Sequence, residues 1–237
     1  MSAIALRRAG AQHPEAGAAV VAAAAWMLLL LPLAGGETIR AAHAAVHQAA
    51  PVPADALGWL TMATAMMIPS ALPVSRRLAL TSLWRRRSRT IALFLASYLV
   101  VWALFGAAVL PLVALLHADT AALLPAVLAG AAAWELTRAK WRGVRACRLL
   151  DTLPPSGRAA DHACCRTGVR YGLRCVVACW PLMLAMAVAG HTAVGLMLLL
   201  SGLAVAEKRA PEPSRLARYG AGLLALAACT AAVVPPA

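Results

Sequence analysis

Sulfur side chains recur at helical spacing in two apolar segments of this sequence. Met62 and Met66 stand four residues apart in the first segment, so on a helix they lie about 40° apart on one face. In the second segment, one stripe about 80° wide carries four sulfur side chains, those of Cys175, Cys179, Met183 and Met186. Thioether and thiolate ligands without hard oxygen partners favour Cu(I) over Mg²⁺, Ca²⁺ or Mn²⁺. The spacing therefore indicates a site for a soft metal.

Three further residues extend this candidate site. Met67 follows Met66 directly, and Met197 lies near the start of the next apolar run. Pro69 lacks an amide hydrogen and cannot complete the helix ladder at Ala65, so we expect the backbone there to supply a polar group or a hinge. Weak sulfur ligands at successive depths would hold an ion, or pass it on, without trapping it.

Histidines supply a second class of candidate ligand. His43 and His47 are four residues apart, so on a helix both imidazoles face the same side. They lie between the first two apolar runs, and neutral imidazole nitrogen is a copper ligand as well as a zinc ligand. The alternative for both is a solvated loop without a ligand role.

Packing alone is the competing interpretation of the sulfur pattern. Methionine fills irregular gaps in apolar cores, and cysteine behaves there as a small hydrophobic residue. In that case, exchange of methionine for leucine would be silent.

Ionisable residues near the ends of apolar runs are the remaining candidates. Glu135 lies near the end of one run and is expected to pair with Lys140 or with an arginine at the membrane interface. Glu207 and Lys208 end another run. A proton or cation relay through these carboxylates is the functional alternative to an ion pair. Cys147 lies among basic residues and is expected to be a free thiol in a reducing compartment.

The composition excludes a water-soluble globule. Of the 237 residues, 62% are hydrophobic and 13% are charged, and the mean hydropathy is +0.75. Soluble domains are roughly 45–50% apolar. The sequence contains no phosphate-binding loop, zinc-protease motif, nucleophile elbow or paired-carboxylate pattern, so we predict that the protein is not an enzyme.

Seven apolar runs could cross a hydrocarbon core about 30 Å thick as helices. We therefore predict an all-α, polytopic membrane bundle that forms a single domain over residues 18–234, after an N-terminal segment 1–17. A loop over 137–172 is expected to be partly irregular and to carry a short interfacial helix. The seven helices are predicted at 18–34, 57–74, 90–116, 121–136, 173–189, 192–206 and 219–234.

Positive charge alternates between the segments that separate these helices. Of the 22 Lys and Arg residues, 21 lie in the first, third, fifth and seventh of these segments, counted from the N-terminal one, or at their edges. The exception is Arg40, in the second segment. By the positive-inside rule, the N-terminus lies in the cytoplasm and the C-terminus outside, as in a multi-pass protein of the bacterial inner membrane. Topology thus accounts for the net charge of +13 without nucleic-acid binding. The first run could instead be a secretory signal after Arg7 and Arg8, but its length favours a retained helix.

Short outer connections predict how the helices pair. Four residues separate the third helix from the fourth, and two separate the fifth from the sixth. We expect both pairs to form antiparallel hairpins, so that helices adjacent in the sequence pack together. A basic loop at 75–89 is expected to bind anionic headgroups of the lipid bilayer at about 1 kcal/mol per charge.

These motifs resemble a bacterial family of predicted metal-binding integral membrane proteins, some of which are described as copper chaperones for polyphenol oxidase. One family signature, M-x-x-x-M-M-x-P, is matched at Met62, Met66, Met67 and Pro69, with Pro73 following. A second resembles Cys-x-Gly-Cys-Cys-Trp-x-Leu-Met and a methionine-bearing helix that closes with Glu-Lys, and its positions are occupied by Cys175, Cys179, Trp180, Leu182, Met183, Met197, Glu207 and Lys208. A third, Lys-x-x-Cys-Leu-x-x-Cys-Arg, is answered by Lys140, Cys147 and Arg148.

The chain departs from these signatures at four positions. The glycine and the middle cysteine of the second signature are Val177 and Ala178 here. The first cysteine of the third signature is Gly143, and Thr192 stands where a methionine is expected. The resemblance thus implies a divergent member with fewer thiols than its relatives.

Pattern and resemblance together predict a membrane protein that holds Cu(I) and delivers it to a copper enzyme or carrier on the outer, periplasmic side. Cys175 and Cys179 would be the tighter thiolate ligands nearer the cytoplasm, and the methionines would transfer the ion. His43 and His47 would accept it outside. Two alternatives come from other classes: a non-catalytic assembly partner with adaptable methionine faces, and a small-solute permease that uses acidic residues as proton relays.

Overall fold

A computed structural model describes residues 13–34, 51–115, 120–149, 154, 156–190 and 193–233. Over these residues the chain is α-helical, with one short 3-10 helix at Trp84–Arg86 and no strand, so the all-α prediction is confirmed. The helices are α1 Ala16–Ala34, α2 Pro51–Thr81, α3 Arg87–Leu115, α4 Thr120–Glu135, α5 Arg138–Ala146, α6 Gly157–Ala189, α7 Val194–Arg209 and α8 Pro213–Val233.

Each predicted apolar run overlaps one helix, but several helices continue into polar sequence. The largest difference is in α6, which begins at Gly157 rather than near 173. After Pro155 the segment is rich in Ala and Arg and free of proline until Pro181, a composition that favours helix. The segment 137–172, predicted to be partly irregular, is thus helical from Gly157 onward. The segment also contains a short helix, α5, as expected.

Within the described residues, four helices are long and apolar enough to cross a membrane: Ala56–Thr81, Trp84–Leu115, Gly157–Ala189 and Arg215–Val233. Two further apolar helices are shorter, at Ala16–Leu31 and Leu123–Glu135. A membrane-spanning helix needs about 20 predominantly apolar residues, with a lower limit of about 17. The count of seven spans and the orientation of the termini stay predictions.

The closest helix pair, α3 with α6, is distant in the chain and meets at small residues. α3 packs mainly against α6, α2 packs against α1 and α3, and α4 packs against α8 and α6. A Cβ atom added at Gly168 of α6 would lie 2.4 Å from the carbonyl oxygen of Phe94, and one added at Gly172 would lie 2.9 Å from the Val101 side chain. Glycine at these two positions lets the backbones of α3 and α6 approach closely.

The prediction that helices adjacent in the sequence pack together is wrong for the third and fourth helices. Contact between α3 and α4 is at most marginal, and the main neighbour of α4 is α8. The physical reason is that a short connection constrains only the helix ends, whereas close backbone approach along α3 and α6 needs the glycines just described. α6 and α7 touch only over a small area.

Candidate metal-binding site

The sulfur side chains of the predicted site all lie in the protein core. Relative exposure is 3% or less for every one of them: Met62, Met66, Met67, Cys175, Cys179, Met183, Met186 and Met197. Burial of methionine is not general in this chain, since Met27 is 62% exposed. Three helices, α2, α6 and α7, thus direct their sulfur atoms inward, as the periodicity indicated.

Hydrogen bonds join these three helices at one level of the bundle. The hydroxyl of Ser70 in α2 accepts a bond of 2.8 Å from Lys208 Nζ of α7. The backbone carbonyl of Ser70 accepts a bond of 3.2 Å from the Tyr171 hydroxyl of α6. Ser201 of α7 also donates to the Met66 carbonyl at 3.5 Å. Ser70 is therefore a junction between the two helices that bear the methionine and cysteine patterns and the one that bears Met197.

A cavity of about 220 Å³ lies at the other end of the sulfur side chains. Met62 of α2 and Met186 of α6 both line its wall. The remaining lining residues are apolar or glycine: Gly58, Trp59, Leu110, Val113, Ala114, Ala187 and Gly190. Two thioethers from different helices thus share one space.

Cys175 is the sulfur atom with the most polar neighbours. Lys208 Nζ lies 2.9 Å from its Sγ, and the Tyr98 hydroxyl lies 3.2 Å from it. The Lys208 ammonium also stands 5.3 Å from the centre of the Tyr171 ring. An ammonium group beside a sulfur atom stabilises the thiolate, which is the form of cysteine that binds metals. One turn further along α6 lies Cys179, which is also buried.

Neither Tyr98 nor Ser70 was a candidate from the sequence. Tyr98 lies in the middle of an apolar run without a neighbouring motif, and Ser70 follows Pro69 as a small polar residue. A buried tyrosine hydroxyl needs a hydrogen-bond partner, so its presence inside an apolar run was the signal that could have been used.

Glu135, Lys140 and Glu207 form a buried ion-pair cluster. Lys140 Nζ contacts a Glu135 carboxylate oxygen and lies 2.9 Å from Glu207 Oε2, and each of the three side chains is 2% exposed or less. Burial lowers the pKa of Lys140, but Glu207, Cys179 and Glu135 raise it by more, so that the pKa lies above its ordinary value. The pairing of Glu135 with Lys140 was predicted, and the participation of Glu207 was not. The cluster ties the ends of α4 and α7 to α5.

Cys147 follows the last residue of α5 and is 2% exposed. Burial raises the pKa of its thiol to about 12, and Cys175 raises it as well, against the lowering effect of Lys208 and Arg174. Cys147 is therefore a free thiol near the cysteines of α6, as expected, and it is held in the protonated form at neutral pH.

Two of the four departures from the resembled signatures meet in the structure. A Cβ atom on Gly143 of α5 would lie 3.2 Å from the backbone nitrogen of Ala178 and 3.3 Å from its Cβ. Positions at which the signatures have cysteines are thus face to face, in a contact that glycine and alanine keep short.

The polar group expected from Pro69 is present but occupied. The Ala65 carbonyl, which Pro69 cannot bond, accepts a hydrogen bond of 2.9 Å from the indole Nε1 of Trp26 in α1. This carbonyl is thus not a free ligand, which corrects the expectation of an open backbone group. A buried carbonyl without a donor is costly, and the indole removes that cost.

The same arrangement occurs near Trp180. Pro181 leaves the Val177 carbonyl without a helical donor, and Trp134 Nε1 of α4 donates to it at 3.2 Å. The ring of Trp180 packs edge to face on Trp134, with 5.3 Å between ring centroids. The contact of Trp180 with Trp134 therefore joins α6 to α4.

Hard-ligand metal sites are absent from the described part of the chain. No group of three or more His, Cys, Asp and Glu side chains within it could hold a metal ion. A metal bound here with three or more ligands would need thioethers, which are soft, neutral ligands, in addition to any cysteine sulfur. The histidine candidates His43 and His47 lie outside the described residues.

A family model described as PpoB2, copper chaperone, matches residues 56–231, which include all the sulfur side chains of the core site. No curated protein and no solved structure matches the chain.

Proposed function

The chain belongs to the PpoB2 copper chaperone family, and from that premise we propose that it holds Cu(I) among the buried sulfur atoms of α2, α6 and α7 and delivers it to a partner protein. The observation that carries the proposal is the shared cavity wall of Met62 and Met186, which come from different helices. Cu(I) is a soft ion that binds two to four sulfur ligands without hard oxygen donors, and this core supplies them.

Each ligand class has a proposed role. Cys175 and Cys179 are the tighter ligands because thiolates bind Cu(I) more strongly than neutral thioethers. We call the series of sulfur side chains from Cys175 and Cys179 to Met62 and Met186 the sulfur path. Met66, Met67, Met183 and Met197 are proposed as the ligands between its two ends. His43 and His47 are proposed as acceptors between α1 and α2. The copper-handling role is that of the family, and this ligand set is our proposal for the present chain.

The membrane setting is also part of the proposal. Four helices have the length and apolarity for spans, and the alternation of basic segments supports seven spans with the N-terminus in the cytoplasm of a bacterial cell. In that orientation the cavity beside Met62 and Met186 faces the outer side. The acceptor would then be a periplasmic copper enzyme or carrier.

Copper content of the purified protein tests the site directly. We expect the wild-type protein, in detergent under reducing conditions, to retain stoichiometric copper after exposure to Cu(I). Met66→Leu combined with Met183→Leu should remove most of it, since leucine keeps the volume of methionine but offers no ligand. Cys179→Ser should reduce binding as well.

Met27→Leu is the matched control, because Met27 is exposed on α1. It should bind copper as the wild type does. Copper binding that survives the paired Met66 and Met183 exchange would contradict the proposed site, and the sulfur atoms would then serve packing alone. A wild-type protein that binds no copper would favour an assembly role.

A further inference from the structure

The two ends of the sulfur path differ in charge. At the cavity end, Met62 and Met186 line a space in which none of the described lining residues is charged. At the charged end, Cys175 contacts the ammonium group of Lys208. A monovalent cation such as Cu(I) meets no like charge among the described residues of the cavity, whereas at the other end it meets the positive charge of Lys208.

The cavity end is a preformed opening. Trp59, which forms part of its wall, donates from Nε1 to the Trp102 carbonyl at 2.8 Å and lies directly over Gly106. Ala114, on the same wall, is exposed, so the cavity reaches the protein surface. Neutral thioethers on the wall would bind a soft cation without holding it against transfer.

The charged end is closed by fixed cations and their partners. Lys208 Nζ is held between Cys175 Sγ at 2.9 Å and Ser70 Oγ at 2.8 Å. Lys140 adds no net positive charge here, because both Glu135 and Glu207 contact its ammonium group.

A further cation secures the end of α7. Arg148 donates to the backbone carbonyls of Glu207, at 3.1 Å, and of Ala210. A cation that moved through this end would have to approach the Lys208 ammonium and the Arg148 guanidinium, and charge repulsion is poorly screened away from water.

We infer that Cu(I) enters and leaves the sulfur site through the cavity between Met62 and Met186, while Lys208 closes the opposite end. The inference rests on the proposed copper-binding function and adds a direction to it. The protein would then be a one-sided holding site that receives and returns the ion on one face, and not a conduit from one face to the other.

Sided loading of membrane vesicles tests the inference. The full chain is reconstituted in lipid vesicles, and Cu(I) is offered from one side as a complex with a sulfonated chelator that does not cross membranes. Ser88→Cys, at an exposed position in the basic region at the start of α3, is introduced together with Cys229→Ala, because Cys229 is an exposed native thiol. The new thiol is labelled with an impermeant maleimide to show which face bears the charged end. We expect loading from the other face to be about tenfold faster, which corresponds to a barrier lower by about 1.4 kcal/mol.

A pair of substitutions on α3 localises the route. Ala114→Trp places an indole in the cavity and should slow loading from the cavity face several-fold. Ala108→Trp is the control because Ala108 is exposed on the same helix and does not line the cavity. It should load at the wild-type rate.

The outcomes separate the inference from the proposed function. Equal loading from both faces, or faster loading from the labelled face, would overturn the inference and leave copper binding intact. Absence of bound copper in the wild type, with either face exposed and in detergent, would remove the proposed function and the inference together. If Ala114→Trp fails to fold, the comparison of the two faces in the Ser88→Cys protein still decides.

Discussion

The indole of Trp26 takes the place of the backbone donor that Pro69 lacks, by bonding the Ala65 carbonyl at 2.9 Å. That carbonyl lies in the part of α2 that bears Met62 and Met66. The bond therefore satisfies the backbone group that Pro69 leaves without a donor next to the proposed site. A proline in a membrane helix is tolerated when a neighbouring helix satisfies the freed group, and here α1 does so.

Trp26→Phe should lower the free energy of unfolding by about 1–3 kcal/mol, because the Ala65 carbonyl loses its donor inside the protein. Thermal unfolding in detergent measures this change. In a Pro69→Ala background the loss should be smaller, since alanine restores the amide donor. Trp84→Phe is the control at an exposed indole and should change stability by less than about 0.5 kcal/mol. Equal losses from both exchanges would contradict this account.

Lys140→Met should destabilise the protein by about 3–5 kcal/mol, because it leaves Glu135 and Glu207 buried without their cation. Arg142→Met removes the same charge from an exposed position on α5 and should have little effect on unfolding. Addition of Glu135→Gln and Glu207→Gln to Lys140→Met should recover part of the loss. No recovery would mean that Lys140 stabilises the fold through packing and not through charge.

Gly168→Ala should separate α3 from α6, because the added Cβ would lie 2.4 Å from a backbone oxygen that cannot move alone. We expect a loss of about 1–3 kcal/mol in unfolding free energy. Gly130→Ala is the matched exchange within α4, where no atom lies within 4 Å of the added Cβ. It should be neutral or stabilising by about 0.5–1 kcal/mol. Similar stabilities for the two variants would contradict the close contact.

Cys147 should react slowly with iodoacetamide at neutral pH, and its rate should keep rising between pH 9 and pH 11. The thiolate fraction grows about tenfold per pH unit until the pKa is reached, and burial places that pKa at about 12. Arg145→Cys in a Cys147→Ser chain provides an exposed thiol on the same helix, whose rate should level off above its ordinary pKa of about 8.5. A plateau of the Cys147 rate near pH 9 would refute the raised pKa.

The same shift predicts a pH dependence of stability. The pKa of Cys147 is higher in the folded state than in the unfolded state, so its contribution is present below pH 9 and is lost as the pH rises toward about 12. Wild type should therefore lose more stability over this range than Cys147→Ser, and unfolding at stepped pH values measures the difference.

Local periodicity predicted the helices and the inward direction of the sulfur atoms, and it was sufficient because an apolar face repeats every few residues. Met66 and Met183 are examples, since both are fully buried as their spacing required. Partners from distant segments were not predictable in this way. The bond from Trp26 to Ala65 and the contact of Tyr98 with Cys175 depend on which helices pack together, and that depends on close approaches such as the one at Gly168.

Gly143 and Ala178, the two positions at which this chain lacks the cysteines of the signatures, are in contact, so the free-energy effects of substitutions at them are coupled. A larger side chain at either position has to be accommodated by the other, because a Cβ on Gly143 already lies within 3.3 Å of Ala178. Residues in contact show non-additive effects, so Gly143→Cys and Ala178→Cys should be epistatic. The effect of Gly143→Cys on stability thus depends on the size of the side chain at position 178 of α6.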